Sequence, residues 1–145
     1  MPKLPVTGGC LCGLIRYTST LPPNFIGICH CRMCQRAYGN LFSPMGSFPL
    51  EGFAISGEPN YYQSSKAARR GFCSVCGTPL FMRYTGSKTI GVLMGTFDQP
   101  GEWPPTLGHC GIESRVSWYV IRDELPQYRT GEDPFTKQYK DLLPD

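Results

Sequence analysis

Gly9-Cys10-Leu11-Cys12-Gly13, near the start of the chain, and Cys73-Ser74-Val75-Cys76-Gly77, at its middle, are the stretches on which the fold turns. Each holds two cysteines with one or two residues between them and follows them with a glycine, which lets the backbone turn tightly around a metal ion. Four thiolates at about 2.3 Å make a closed tetrahedral zinc site, structural in type, that would tie an N-terminal hairpin to the middle of the chain. Between the pairs lies a third cluster, Cys29-His30-Cys31-Arg32-Met33-Cys34-Gln35-Arg36. Spacing alone leaves other pairings among these seven cysteines open. Iron–sulfur ligation is the other metal reading, and the clusters lack the ferredoxin-type spacings.

The middle cluster carries the functional argument. Three thiolates, Cys29, Cys31 and Cys34, hold a second zinc and leave its fourth position for water or a substrate atom, as a catalytic zinc requires. A thiol bound there loses its proton near neutral pH and becomes a usable nucleophile. The competing reading makes the site a second staple, with His30, His109 or Cys110 as fourth ligand.

The rest of the sequence bounds these readings. A length of 145 residues fits a single domain, 1–145, with its core at about 6–128 and a C-terminal tail at 129–145. The opening Met-Pro-Lys-Leu-Pro-Val-Thr has no apolar run of signal-peptide length, and no stretch reaches the ~20 apolar residues of a membrane span. A cytoplasmic location is therefore expected, where clustered cysteines serve metals or catalysis rather than disulfides. The net charge of +3, without any block of like charge, indicates no nucleic-acid partner.

With 17 glycines and 14 prolines scattered through it, the chain shows no sustained helical period. Short β-type runs stand at 14–18, 53–55, 79–84, 89–94 and 117–121, divided by turn signals at Gly8-Gly9, 57–60, Gly86-Ser87 and 99–101. Helix is expected only at about 32–38 and 134–142. The chain is mainly β.

These motifs, together with the flanks Ile15-Arg16-Tyr17, Arg70-Gly71-Phe72, Thr78-Pro79-Leu80, Gly95-Thr96-Phe97-Asp98, Pro105, His109, Trp118 and Leu125-Pro126-Gln127-Tyr128, are similar to those of a known family. The chain resembles the glutathione-dependent formaldehyde-activating enzymes, which include a centromere protein and share the Mss4-like fold of small antiparallel sheets and hairpins stapled by zinc. The resemblance implies two zinc ions per chain, a structural one at Cys10, Cys12, Cys73 and Cys76 and one at the active centre at Cys29, Cys31 and Cys34. It implies carbon–sulfur lyase chemistry, the reversible addition of glutathione or a similar thiol to formaldehyde or another small aldehyde.

On that reading His30 or His109 would help protonate the oxyanion. Arg32, Arg36, Arg69 and Arg70 are the candidate partners of glutathione's carboxylates, since arginine suits bidentate carboxylate binding, and a nearby arginine would equally offset the net negative charge of a three-thiolate zinc. The stretch Leu41–Phe48 would line the pocket. Cys110 stands where the family usually has an apolar residue and is read as a small buried hydrophobe. Trp103 and Trp118 are expected as core or surface anchors. The alternative from another class is a non-catalytic, zinc-stabilised interaction module, since the fold hosts both kinds of member.

Overall fold

The computed structural model describes residues 2–144. Ten strands follow in chain order: β1 (Val6–Gly9), β2 (Arg16–Ser19), β3 (Phe25–Cys29), β4 (Ser43–Pro49), β5 (Phe53–Ser56), β6 (Asn60–Gln63), β7 (Ala68–Phe72), β8 (Pro79–Tyr84), β9 (Thr89–Leu93) and β10 (Gly108–Cys110). One α-helix, α1 (Arg32–Tyr38), leaves the end of β3, and the remaining helical pieces are 3-10 turns, the last at Thr136–Leu142. Strands β1, β2 and β5 form a three-stranded antiparallel sheet in the order β1-β2-β5. The other seven form a second sheet in the order β10-β3-β4-β9-β8-β7-β6, antiparallel except where β10 runs parallel to β3. The mainly β expectation holds.

The two sheets enclose one core. Side chains alternate across a strand, so β4 sends Phe48 inward with Gly46 and turns Met45 and Ser47 to the opposite face. From β9 come Ile90 and Val92, from β8 Leu80 and Phe81, and from the smaller sheet Val6 and Tyr17, all buried in a single apolar cluster. Burying each such large side chain contributes roughly 1.5–3 kcal/mol. The Tyr17 ring stacks on Phe53 with centroids 5.6 Å apart and meets Phe81 and Phe97 edge-on. Its hydroxyl is satisfied by Thr96 Oγ1 at 2.8 Å. Trp103 packs against the same cluster.

The other face of the large sheet is covered in part by the C-terminal segment. Tyr139 is buried with Ala67, Ala68 and Met82, and stacks on Tyr84 at 4.7 Å between centroids. Phe135 meets Tyr84 at 5.2 Å and Phe25 at 5.4 Å. Asp133, 1 % exposed, fixes the start of the last turn by accepting from the backbone N–H groups of Phe135 and Thr136 and from the Thr136 hydroxyl. The expected tail therefore forms one wall of a cleft.

The runs expected at 14–18, 53–55, 79–84 and 89–94 match β2, β5, β8 and β9, and the helix expected at 32–38 matches α1. Two expectations are corrected. Ser117–Ile121 is not a strand: Trp118 and Val120 are 71 % and 60 % exposed, and the outer edge of β10 is already occupied by Gln127, which bridges to His109. Trp118 is thus a surface residue. Gly8-Gly9 belongs to β1 rather than to a turn, because the Tyr17 hydroxyl and the Thr96 carbonyl press where a side chain on Gly8 would stand. The short helix expected at about 134–142 is present as a 3-10 helix of seven residues, Thr136–Leu142. Among the described residues no helix is long and apolar enough to cross a membrane.

Candidate metal centres and the cleft beside them

Cys10 and Cys12 sit in the turn between β1 and β2, and Cys73 and Cys76 in the turn between β7 and β8. The pairing of the sheets brings all four sulfurs within 4.8 Å of one another. Around a tetrahedral zinc, sulfurs at about 2.3 Å stand roughly 3.8 Å apart. The Cys10–Cys12 and Cys12–Cys73 separations are 3.6 Å and 3.8 Å, so these three sulfurs already include the spacing that such an ion requires. Gly13 and Gly77 take φ of 81° and 78°, the left-handed turn that closes each knuckle. Backbone N–H of Ile15 donates to the Cys10 sulfur at 3.3 Å, as expected at a site that carries thiolate charge. Cys73 is wholly buried, while Cys12 lies at the surface.

The second cluster is built by the end of β3 and the first turn of α1. Cys29 closes β3, Cys31 is the N-cap of α1 and Cys34 falls in its first turn, so one short segment presents three sulfurs within 4.8 Å. Cys31 accepts from the Cys34 backbone N–H at 3.4 Å. Hydrogen bonds from the Cys29 and Cys34 thiols draw Cys31 far below the ordinary thiol range, and the same contacts push Cys29 well above it. Negative charge drawn onto Cys31, with two further sulfurs beside it, is what a bound cation would neutralise. Both cysteine clusters are therefore arranged to hold metal ions, and their donors suit zinc.

Gly111, at φ 63°, lies against Cys31: a Cβ there would stand 2.6 Å from the Cys31 nitrogen. This close approach lets the turn after β10 hold the second cluster in place. Arg70 of β7, 6 % exposed, donates to the Cys34 sulfur at 3.5 Å and to Ser64 Oγ at 3.0 Å, with its guanidinium 5.0 Å from the centre of the Tyr38 ring. Burial works against its charge, and the neighbouring Cys34 sulfur outweighs burial and holds its pKa above the usual arginine value.

A cleft of about 1090 Å³ opens beside this cluster, and Cys29, Cys31, Cys34, Arg32, Arg36 and Arg70 all border it. Its floor is the face of the large sheet turned away from the core, and its far wall is the C-terminal segment. Of the stretch expected to line it, Met45, Gly46 and Ser47 do, whereas Phe48 is buried in the core and Phe42 packs on His30. Arg32 bonds to the Gln35 side chain, Arg36 is exposed at the rim, and Arg69 stands outside the cleft over Tyr61.

The two histidines do not border the cleft. Strand alternation puts Cys29 and Cys31 on one face and His30 on the other, and the β10–β3 register sets His109 beside Ile28 on that same far side. There His30 Nε2 meets His109 Nδ1 at 2.9 Å, and His109 Nε2 meets the Asp123 carboxylate at 2.9 Å. Burial, and then the neighbouring His109, bring the His30 pKa down to about 4, which keeps that ring neutral at neutral pH. The Asp123–His109–His30 chain pins β10 to the end of β3, a tie not apparent in the sequence, where Asp123 carried no motif.

Cys110 is brought beside Cys29 by the same register but stands outside the group of three sulfurs. Burial, and the nearby Asp133 carboxylate, push its pKa far up, so it remains a thiol. The sequence reading also passed over Tyr38. It is four residues after Cys34 on α1, hence on the same helix face, and its buried hydroxyl has no hydrogen-bond partner beside Arg70. That i, i+4 spacing was the signal available.

Comparison with known proteins places these features. A sequence profile described as glutathione-dependent formaldehyde-activating enzyme matches residues 5–112, which include both cysteine clusters and β10. An uncharacterized lyase of Schizosaccharomyces pombe is 30 % identical over 81 residues, a match that spans 56 % of this chain and 59 % of the relative's length. A crystal structure of a Rhodobacter sphaeroides protein superposes with a TM-score of 0.48 at 16 % identity, covering 83 % of this chain and 98 % of that one.

Proposed function

The chain belongs to the glutathione-dependent formaldehyde-activating enzyme family, and from that premise we propose that it is a zinc-dependent carbon–sulfur lyase. It adds a small thiol, glutathione or one like it, reversibly to an aldehyde. The observation that carries this reading is the contrast between the clusters. Four sulfurs close the site at Cys10, Cys12, Cys73 and Cys76, and three sulfurs face an open cleft at Cys29, Cys31 and Cys34. Two zinc ions per chain are proposed, one in each.

A zinc ion held by Cys29, Cys31 and Cys34 would supply an electrophilic position that favours the thiolate form of an incoming thiol. The chain's own residues do the rest. Arg70 offsets the negative charge of the three thiolates through its bond to Cys34. Arg32 and Arg36 border the cleft at its rim and would receive the carboxylates of a thiol such as glutathione. The cleft walls then hold the aldehyde carbon next to the sulfur, and proximity lowers the barrier.

In the addition, the sulfur–carbon bond forms as the carbonyl π bond breaks. Its electron pair goes to the oxygen, which takes a proton to become the hydroxyl of the adduct. The thiol proton is released to solvent, so the overall change is neutral. Tyr38, whose hydroxyl is without a partner in the cleft wall, is the proposed donor to that oxygen, in the place first given to His30 and His109. Burial pushes its pKa up and keeps it protonated.

The test is exchange NMR with carbon-13 formaldehyde and glutathione. The zinc-loaded protein should speed interconversion of free and S-(hydroxymethyl) forms above the spontaneous rate, and Cys31→Ser should abolish the increase while the chain stays folded. A rate equal to that in buffer, for formaldehyde and for larger aldehydes alike, would defeat the proposal.

A further inference from the structure

We infer that the inner cleft is the seat of an aromatic aldehyde carrying a hydrogen-bonding substituent; this deepens the thiol-addition reading and rests on it for the aldehyde group. The floor of the cleft is formed by Met45 and Ser47 of β4 and by Met82 and Tyr84 of β8, with Phe25 and Phe135 meeting above at 54°. These are surfaces for a flat apolar body: aromatic edges pack on rings, and methionine sulfur makes favourable contacts with them. Formaldehyde, with two heavy atoms, has no such body and would leave a cleft of about 1090 Å³ almost unfilled. Nor does glutathione match this floor. Its two carboxylates and ammonium group would be desolvated against methionine and phenylalanine, whereas the rim offers Arg32 and Arg36.

A second observation marks where the substituent goes. Ser47 is 6 % exposed, lines the cleft, and its hydroxyl has no hydrogen-bond partner. An unmet hydroxyl in such surroundings is costly, and a ligand oxygen or nitrogen reaching it would recover that cost. The position is dictated by register: Ser47 pairs with Phe25 on one side and Gly91 on the other. The glycine keeps the floor clear beside the hydroxyl.

Ligand-observed saturation-transfer NMR on the zinc-loaded full chain, without added thiol, tests the inference with unreactive analogues: benzyl alcohol, 3- and 4-hydroxybenzyl alcohol, and 1-hexanol. The aromatic alcohols should bind in competition with one another and more tightly than hexanol. Ser47→Ala should weaken one of the hydroxylated ligands about fivefold and benzyl alcohol less than twofold. The variant removes only an unpaired hydroxyl, so its fold is secure.

Hexanol binding as tightly as the aromatic alcohols, no binding of any of them, or equal losses for benzyl and hydroxybenzyl alcohols in Ser47→Ala would overturn the inference. The two proposals fail separately. Accelerated formaldehyde exchange with no aromatic binding removes the inference alone. Aromatic binding at Ser47 with no adduct from any aldehyde and thiol removes the thiol-addition reading and leaves the aromatic site.

Discussion

Replacing Arg70 by methionine tests how the second cluster is held. Three thiolates around a divalent ion leave a net charge of minus one in a mostly buried place, and Arg70, 6 % exposed and 3.5 Å from the Cys34 sulfur, is the cation in contact with it. Methionine keeps the aliphatic stem of the side chain and removes the guanidinium with its charge and hydrogen bonds. A hydrogen bond to a charged partner is worth about 1.5–3 kcal/mol, so zinc affinity at Cys29, Cys31 and Cys34 should fall roughly ten- to hundredfold.

Zinc at Cys10, Cys12, Cys73 and Cys76 should be unaffected, because Arg70 makes no contact there. Competition with a chromogenic chelator reads both sites at once, as a weak and a tight zinc in each chain. Arg70→Lys restores the charge but not the planar guanidinium over the Tyr38 ring, and should recover only part of the loss. Unchanged affinity of the weaker zinc in Arg70→Met would refute the role given to Arg70.

Gly111→Ala should release the second zinc on dialysis against chelator while the staple zinc stays, because the added Cβ would fall 2.6 Å from the Cys31 nitrogen at a backbone φ of 63°; two retained zincs would count against the contact. Cys73→Ser opens the closed site, and a structural zinc contributes apparent binding energy of order 10 kcal/mol against a net domain stability of 5–15 kcal/mol. Its melting temperature should drop by at least about 15 °C, against a drop of less than half that for Cys31→Ser, in calorimetry of the zinc-loaded proteins. Similar drops for both would mean that the two clusters do not divide into staple and working site.

The cysteine clusters were legible because ligand spacing is local: a pair with one or two residues between them and a following glycine determine a knuckle wherever the chain goes. The run of Pro79–Tyr84 and the helix after Cys31 were legible for the same reason. Strands β3 and β4 were not, since Gly27, Pro44, Gly46 and Pro49 interrupt their apolar pattern. The sheet tolerates both prolines for a topological reason. Pro44 lies past Met45, where pairing with β9 stops, and Pro49 lies past Ser47, where pairing with β3 stops, so each has a side that needs no ladder bond.

The cleft was hidden for a different reason. Arg70 reaches Cys34, and Phe135 reaches Phe25, only after five strands have been laid side by side. His30 misled because it stands between Cys29 and Cys31 in the sequence, which does not bring it to the open site. On a strand, the residue between two ligands points the opposite way.

The division of the seven cysteines into a closed and an open site is tested most directly by zinc X-ray absorption on the two-zinc protein, before and after addition of glutathione. One four-sulfur site and one three-sulfur site average to about 3.5 sulfurs per zinc, rising towards 4 as the added thiol joins the open one. Four sulfurs per zinc without added thiol would show that another cysteine closes the second site, and would contradict the account.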